Sequence, residues 1–205
     1  MLAIQTIQPN TLELLKRLSA QPELRETRLV GGTALALQYG HRQSIDLDFF
    51  GRLPQDKDEL IAIASTEGKG TVHNRSNLVL QMVIEGVKVD FVDYSRYEWI
   101  DNPILGDGFV LASDKDIAAM KVNAIIGRGT RKDFIDLYVL LRHYSITEIM
   151  DFYKKKYPEH SEYRALLSMT YFEDAEMQDM PRMFLDTSWE EMKKTIIQAV
   201  QEYQK

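Results

Sequence analysis

One stretch constrains this chain more than any other: Leu29-Val30-Gly31-Gly32-Thr33-Ala34-Leu35-Ala36-Leu37, followed by Ser44-Ile45-Asp46-Leu47-Asp48-Phe49-Phe50. An apolar run, a glycine pair and a hydroxyl residue opening an Ala/Leu segment predict a short strand, Arg28-Leu29-Val30. That strand turns into a helix from Thr33 to Tyr39, which Gly40 ends. Such a turn aims free N–H groups and the positive end of the helix dipole at one point, which suits a phosphate, and glycine lets the backbone approach closely. In the second segment Ile45, Leu47 and Phe49 alternate with Asp46 and Asp48. A half-buried strand would turn the apolar three into the core and both carboxylates to the other face. Side chains two apart on a strand lie about 7 Å apart at the backbone, near enough for their oxygens to converge on two divalent cations roughly 4 Å apart. Hard oxygen donors favour Mg²⁺ or Mn²⁺ over zinc.

A third carboxylate should complete such a site. The segment Val87-Lys88-Val89-Asp90-Phe91-Val92-Asp93 offers Asp90 and Asp93. If Val87, Val89 and Phe91 face the core, Asp90 shares the face of Asp46 and Asp48, whereas Asp93 falls on the core side or past the strand end. Asp90 is therefore the candidate. Either half of the pattern alone is ordinary, because Gly-Gly-Thr is a common strand-to-helix turn and Asp-x-Asp is usually a solvated strand face. Their conjunction with a third aspartate at matching parity is hard to obtain from structural needs alone.

Around this kernel the chain reads as α+β: an α/β core over residues 1–111, with a mixed sheet and flanking helices, then a helical C-terminal lobe over 112–205 packed on it. In the core, Asn10-Thr11-Leu12-Glu13 resembles a capping box and predicts a helix to Ala20. Further strands are expected at Ile45–Phe50, Thr71–Asn74, Leu78–Ile84 and Val87–Tyr94, with Glu85-Gly86 as a hairpin turn and a helix over Asp56–Ser65. In the lobe, helices are expected over Ser113–Gly127, Thr130–Tyr144 and Glu162–Ala175, and from the capping boxes Ser145…Glu148 and Ser188…Glu191.

The 205 residues are 44% apolar, enough for a real core. The absence of cysteine removes disulfides, thiol catalysis and iron–sulfur clusters, and His41, His73, His143 and His160 lack ligand spacing, reading instead as surface or interface residues. The net charge of −6 argues against nonspecific coating of nucleic acid. With neither a signal peptide nor a long apolar run indicated, a cytoplasmic protein without membrane contact is expected. Lys154-Lys155-Lys156 reads as a solvated face, and Arg25, Arg28, Arg42 and Arg75 as candidates for a cleft rim.

The helical part adds a second pattern. Lys121 falls on the stripe of Ile117, Ala124 and Ile125, with Arg128 seven residues on, and Asp133 and Asp136 lie three apart on one face beside Phe134, Leu137 and Tyr138. The bland readings are a lysine snorkelling at the stripe's edge, a first-turn acid at Asp133, and at Asp136 a partner to Arg131 or Lys132.

Gly31-Gly32-Thr33 with Asp46-x-Asp48 resembles the signature of polymerase-β-type nucleotidyltransferases. With Lys121, Arg128 and Arg131-Lys132-Asp133-Phe134-Ile135-Asp136-Leu137-Tyr138, the stretch from Leu29 to Leu141 is similar to the AbiEii/AbiGii toxin family. The resemblance implies a nucleotidyltransferase using an NTP and Mg²⁺ or Mn²⁺ held by Asp46, Asp48 and Asp90. It implies phosphate binding by Gly31, Gly32 and Thr33. Lys121, assisted by Arg128 or Arg131, would neutralise the triphosphate and the leaving pyrophosphate, with Asp133 and Asp136 in support. It also implies a growth-arresting toxin of a bacterial toxin–antitoxin or abortive-infection system, countered by a cognate antitoxin. The acceptor stays open between a tRNA 3′ end and a protein hydroxyl. A small-molecule nucleotidyltransferase of the antibiotic-modifying or housekeeping type, or a catalytically silent nucleotide- or partner-binding module, are the alternatives.

Overall fold

The computed structural model describes residues 1–205, and the chain divides into two compact units, Met1–Glu98 with Asn102–Ala112, and Trp99–Asp101 with Ser113–Lys205. The first unit contains α1 (Pro9–Ser19), β1 (Thr27–Leu29), α2 (Gly31–Tyr39), β2 (Leu47–Gly51), α3 (Lys57–Thr66), β3 (Gly70–Arg75), β4 (Val79–Ile84), β5 (Val87–Asp93), β6 (Ile104–Leu105) and β7 (Val110–Leu111). Its seven strands form one sheet in the order β3-β4-β5-β2-β1-β7-β6. The pairs β2/β5 and β1/β7 are parallel and the others antiparallel, so the sheet is mixed.

Alternation makes the two faces of this sheet unlike. Leu47 and Phe49 of β2, Leu80, Met82 and Ile84 of β4, and Val87, Val89 and Phe91 of β5 are all buried, with Phe49 stacked on Phe91 at 5.6 Å. Burying each such side chain contributes on the order of 1.5–3 kcal/mol. The opposite parity carries Asp48, Gln81, Lys88 and Asp90, none of which is fully buried. The β4–β5 turn at Glu85-Gly86 has positive φ at both residues (50° and 82°), as a two-residue hairpin whose twist matches its strands requires.

The second unit contains α4 (Asp114–Gly127), α5 (Arg131–Leu141), α6 (Ile146–Lys156), α7 (Glu162–Met169), α8 (Glu173–Glu176) and α9 (Trp189–Tyr203). Ser113, Ser145, Ser161 and Ser188 each cap a helix by accepting a backbone N–H with the side chain. At α5 and α6 the reciprocal half of the capping box also forms, through Asp133 and Glu148.

Several expectations change. Helix α1 starts at Pro9, not at an Asn10 capping box, because proline at the first position has a preset φ and no N–H to satisfy. The segment Glu162–Ala175 is two helices rather than one: Phe172 turns inward against Phe134 (4.7 Å) and Trp189 (5.9 Å), which interrupts the helix after Met169. His41 and Arg42 are buried rather than at the surface or a cleft rim. Lys156 is no part of a solvated face either. Its ammonium donates to Asp116 at 2.7 Å and lies 4.9 Å from the centre of the Trp99 ring, with both charged side chains fully buried.

Candidate active site

The glycine turn and the Asp-x-Asp segment are tied together by the sheet itself. β1 and β2 pair antiparallel, and the Val30 N–H donates to the Asp48 carbonyl at 2.9 Å, just where β1 gives way to α2. No side chain of the preceding residue caps α2, and its first turn contains no acidic residue. The positive end of the dipole of this nine-residue helix therefore lies beside the Asp48 carboxylate, which a Cβ on Gly31 would meet.

Protein side chains explain the glycine pair as fully as any ligand would. Gly31 has φ +68°, and a Cβ there would collide with Oδ2 of Asp48. At Gly32 a Cβ would collide with the guanidinium of Arg42. Arg42 is only 2% exposed, and its Nη1 donates to the Gln43 carbonyl at 3.1 Å. The turn is therefore gripped by a carboxylate at its first glycine and a guanidinium at its second. Sequence reading missed this role of Arg42; its signal was an arginine within the loop that links the two motif halves.

Thr33 differs from its expected role. It is 1% exposed, and its hydroxyl donates to the Asp46 carbonyl while standing 2.8 Å from the Ser44 hydroxyl. A hydroxyl committed in this way fastens the Asp46 segment to α2 instead of presenting itself to a phosphate. The same bond explains why β2 begins only at Leu47. Asp46 lies just outside the ladder, and Ile45, expected in the core, is 48% exposed.

Asp48 and Asp90 are direct partners in the parallel β2/β5 register, so they occupy one level of one sheet face. Asp93 pairs with Gly51 at the strand ends, and its carboxylate accepts the Ser95 N–H at 3.0 Å. The two oxygens of Asp90 differ. Oδ2 accepts from Gln81 Nε2 and from Lys88 Nζ, each at 3.0 Å, whereas Oδ1 is buried with no hydrogen-bond partner. Burial works against the charge of Lys88, but the bond to Asp90 and the nearby charges of Asp48 and Asp46 prevail and hold its pKa above the ordinary lysine value.

A buried carboxylate oxygen lacking a donor is a costly arrangement that a cation would relieve, and carboxylates are the donors magnesium and manganese prefer. The residues fit a divalent ion on those grounds. They do not form a finished cage, since no three acidic, histidine or cysteine side chains converge as metal ligands in the chain.

In the second unit the structure brings together Lys121, Arg128, Asp133 and Asp136. Lys121 is 4% exposed, with Nζ 3.0 Å from Asp133 Oδ1 and 2.5 Å from Asp136 Oδ2. Arg128 Nε and Nη2 donate to Asp133 at 2.9 and 3.1 Å, and the Thr130 hydroxyl donates to it at 2.6 Å. Burial would raise the Asp133 pKa, but the Lys121 charge and the Arg128 and Thr130 contacts outweigh it and hold the carboxyl well below the usual range. Two cations and two carboxylates balance within this cluster. Arg131 stands apart from it, donating to the carbonyls of Ala175 (2.9 Å) and Glu176 (2.8 Å) and lying over the Trp189 ring at 4.9 Å. Such contacts tie α5 to α8 and α9 rather than offering the guanidinium to a phosphate.

The family model for the nucleotidyl transferase AbiEii toxin, type IV toxin–antitoxin system, matches residues 13–204. An uncharacterized protein of Aquifex aeolicus (strain VF5) is 36% identical over 182 residues, covering 85% of this chain and 86% of that protein. Among solved structures, a proposed nucleotidyltransferase from Helicobacter pylori has a TM-score of 0.58 at 18% identity, covering 96% of this chain and 94% of that one. The nucleotidyltransferase toxin MenT4 of Mycobacterium tuberculosis also has a TM-score of 0.58, at 16% identity, covering 92% of this chain and 79% of that one. These two likenesses speak to the fold, and it is the family match over nearly the whole length, with its glycine turn and Asp-x-Asp strand locked together, that places this chain in the AbiEii nucleotidyltransferase toxin family.

Proposed function

We propose that the chain transfers a nucleoside monophosphate from an NTP to a hydroxyl of a macromolecule, RNA or protein, and thereby arrests growth as the toxin of a pair with a cognate antitoxin. The supporting observation is the alignment of Asp48 and Asp90 at one level of the sheet, with Asp48 against the first glycine at the N-terminus of α2. Backbone N–H groups at Gly31 and Gly32 would receive the triphosphate. The acceptor oxygen would form a bond to the α-phosphorus as the bond from that phosphorus to the bridging oxygen breaks, and pyrophosphate would leave with the electron pair. The hydroxyl proton would pass to a carboxylate, for which Asp90 is the candidate. Asp46, Asp48 and Asp90 would hold Mg²⁺ or Mn²⁺, which when bound neutralises triphosphate charge and lowers the pKa of the acceptor hydroxyl.

The test is transfer of label from each α-³²P NTP, with Mg²⁺, into total cellular RNA and total cellular protein, comparing wild type with Asp48→Ala. Label in either pool that disappears in the variant is the expected result and identifies the acceptor class. No label in either, with NTP binding intact, would sink the macromolecular reading in favour of a small-molecule acceptor or a silent module.

A further inference from the structure

Asp90 is oriented by residues to which the reaction itself gives no part. In the antiparallel β4/β5 ladder Gln81 lies directly opposite Asp90, and in the β3/β4 ladder Asn74 lies opposite Gln81. Asn74, Gln81, Asp90 and Asp48 thus stand at one level across four neighbouring strands. Asn74 Nδ2 donates to Gln81 Oε1 at 3.3 Å, and Gln81 Nε2 donates to Asp90 Oδ2 at 3.0 Å. Chemistry fixes the direction of this chain. An ionised carboxylate only accepts, so Gln81 must present its NH₂ to Asp90 and its carbonyl oxygen to Asn74. Lys88 meets the same Oδ2. Every donor near Asp90 therefore converges on one oxygen, while Oδ1 stays buried and unpartnered.

We propose that Gln81, steadied by Asn74, is a positioning residue that turns Asp90 so that Oδ1 is presented as a ligand for the divalent cation, while Lys88 supplies the counter-charge that lets Asp48 and Asp90 stand side by side. The assignment rests on the reading of Asp46, Asp48 and Asp90 as the cation's ligands. It gives the two partners of Oδ2 opposite signatures. Loss of Gln81 frees the carboxylate to rotate and weakens cation binding, by about 10–100-fold where such supporting contacts have been removed from metal ligands. Loss of Lys88 leaves the orientation in place and removes a positive charge that repels the incoming ion, so binding tightens.

Binding of Mn²⁺ alone, read from the electron paramagnetic resonance signal of the free ion, tests this without reference to turnover. Wild type, Gln81→Leu, Asn74→Ala and Lys88→Met would be compared, with Asp90→Asn as the reference for a lost ligand and circular dichroism to verify folding. The expected order of affinity is Lys88→Met above wild type, Asn74→Ala moderately below it and Gln81→Leu lower still. Because Asn74 is exposed on the edge strand, that variant keeps the test open should Gln81→Leu fail to fold. Affinity unchanged in both Gln81→Leu and Asn74→Ala overturns the assignment, as does a Lys88→Met variant that binds as weakly as Gln81→Leu. If wild type itself takes up no Mn²⁺, the cation reading falls and this assignment with it, whereas failure of the Gln81 and Asn74 variants to differ from a binding wild type defeats this assignment alone.

Discussion

At the scale of single residues, the glycine pair shows how a ligand motif can be dictated from within the protein. Read as sequence, Gly31-Gly32 suggests close approach of a phosphate, but in the folded chain Asp48 fills the space beside the first glycine and Arg42 the space beside the second. Alanine at the two positions should therefore fail differently. Gly31→Ala combines a left-handed backbone (φ +68°), costing about 1–2 kcal/mol for an L-residue, with displacement of the Asp48 carboxylate. Its transfer activity should collapse far beyond what the loss of stability explains. Gly32→Ala pushes on Arg42, a fully buried side chain with little room to yield, so it should lower the melting temperature as well as activity. Thermal denaturation of both variants beside transfer kinetics separates the two. Equal stability losses with matched residual activity would show that Asp48 and Arg42 do not grip the turn as described. The carboxylate parity was legible because β-alternation is a local rule, so Asp90 could be preferred to Asp93 from the pattern of Val87, Val89 and Phe91 alone. The burial of Arg42 and the inward turn of the Thr33 hydroxyl were not, since each depends on a partner about ten residues away whose direction no periodicity encodes.

At the scale of elements, the start of α5 joins a cap to a charge cluster. Asp133 closes the capping box with Thr130 and also receives Lys121 from α4 and Arg128 from the intervening turn. Removing its charge leaves a buried lysine with part of its compensation gone, a change that typically costs about 3–5 kcal/mol. Asp133→Asn should destabilise by that order, and Thr130→Ala by about 1 kcal/mol, in urea denaturation. Comparable small losses for the two would reduce Asp133 to a cap. Helices with a side-chain cap were found readily in the sequence, because Ser145…Glu148 and Ser113 signal their starts within one turn. The short strands β6 and β7 were missed: two residues cannot display alternation, and β7 joins β1 through the single pair Leu29 and Leu111. The break between α7 and α8 was equally illegible, being set by Phe172 meeting Phe134 and Trp189.

At the scale of the whole molecule, the chain does not divide at a single cut. Trp99–Asp101 belongs with the second unit, where the backbone N–H groups of Ile100 and Asp101 donate to the buried carboxylate of Asp116 at 2.8 and 3.3 Å. A change of periodicity near Leu111 could be read from the sequence, but a three-residue excursion anchored on a residue some fifteen positions later could not. The distribution of buried charge then sets how the two units answer to acid. Asp133 is buried and its pKa lies below the ordinary aspartate value of 3.8, whereas the other depressed carboxylates are exposed (Asp58, Asp107, Glu148 and Glu176) or half-exposed (Asp93), so solvent screens their share. Because the folded value is lower than the unfolded one, the stability Asp133 contributes is fully present above about pH 4 and is lost as pH falls from there toward the folded value. Acid should therefore loosen the second unit first. Hydrogen exchange between pH 5 and pH 2.5, corrected for the intrinsic rate, should show protection falling in α4 and α5 before it falls in β2 and β5. In Asp133→Asn the second unit should start less protected and lose less between those two pH values, because the carboxylate whose protonation drives the change is gone. If β2 and β5 lose protection together with α4 and α5 in wild type, the acid response belongs to the chain as one cooperative whole and the Lys121–Asp133 pair does not govern it.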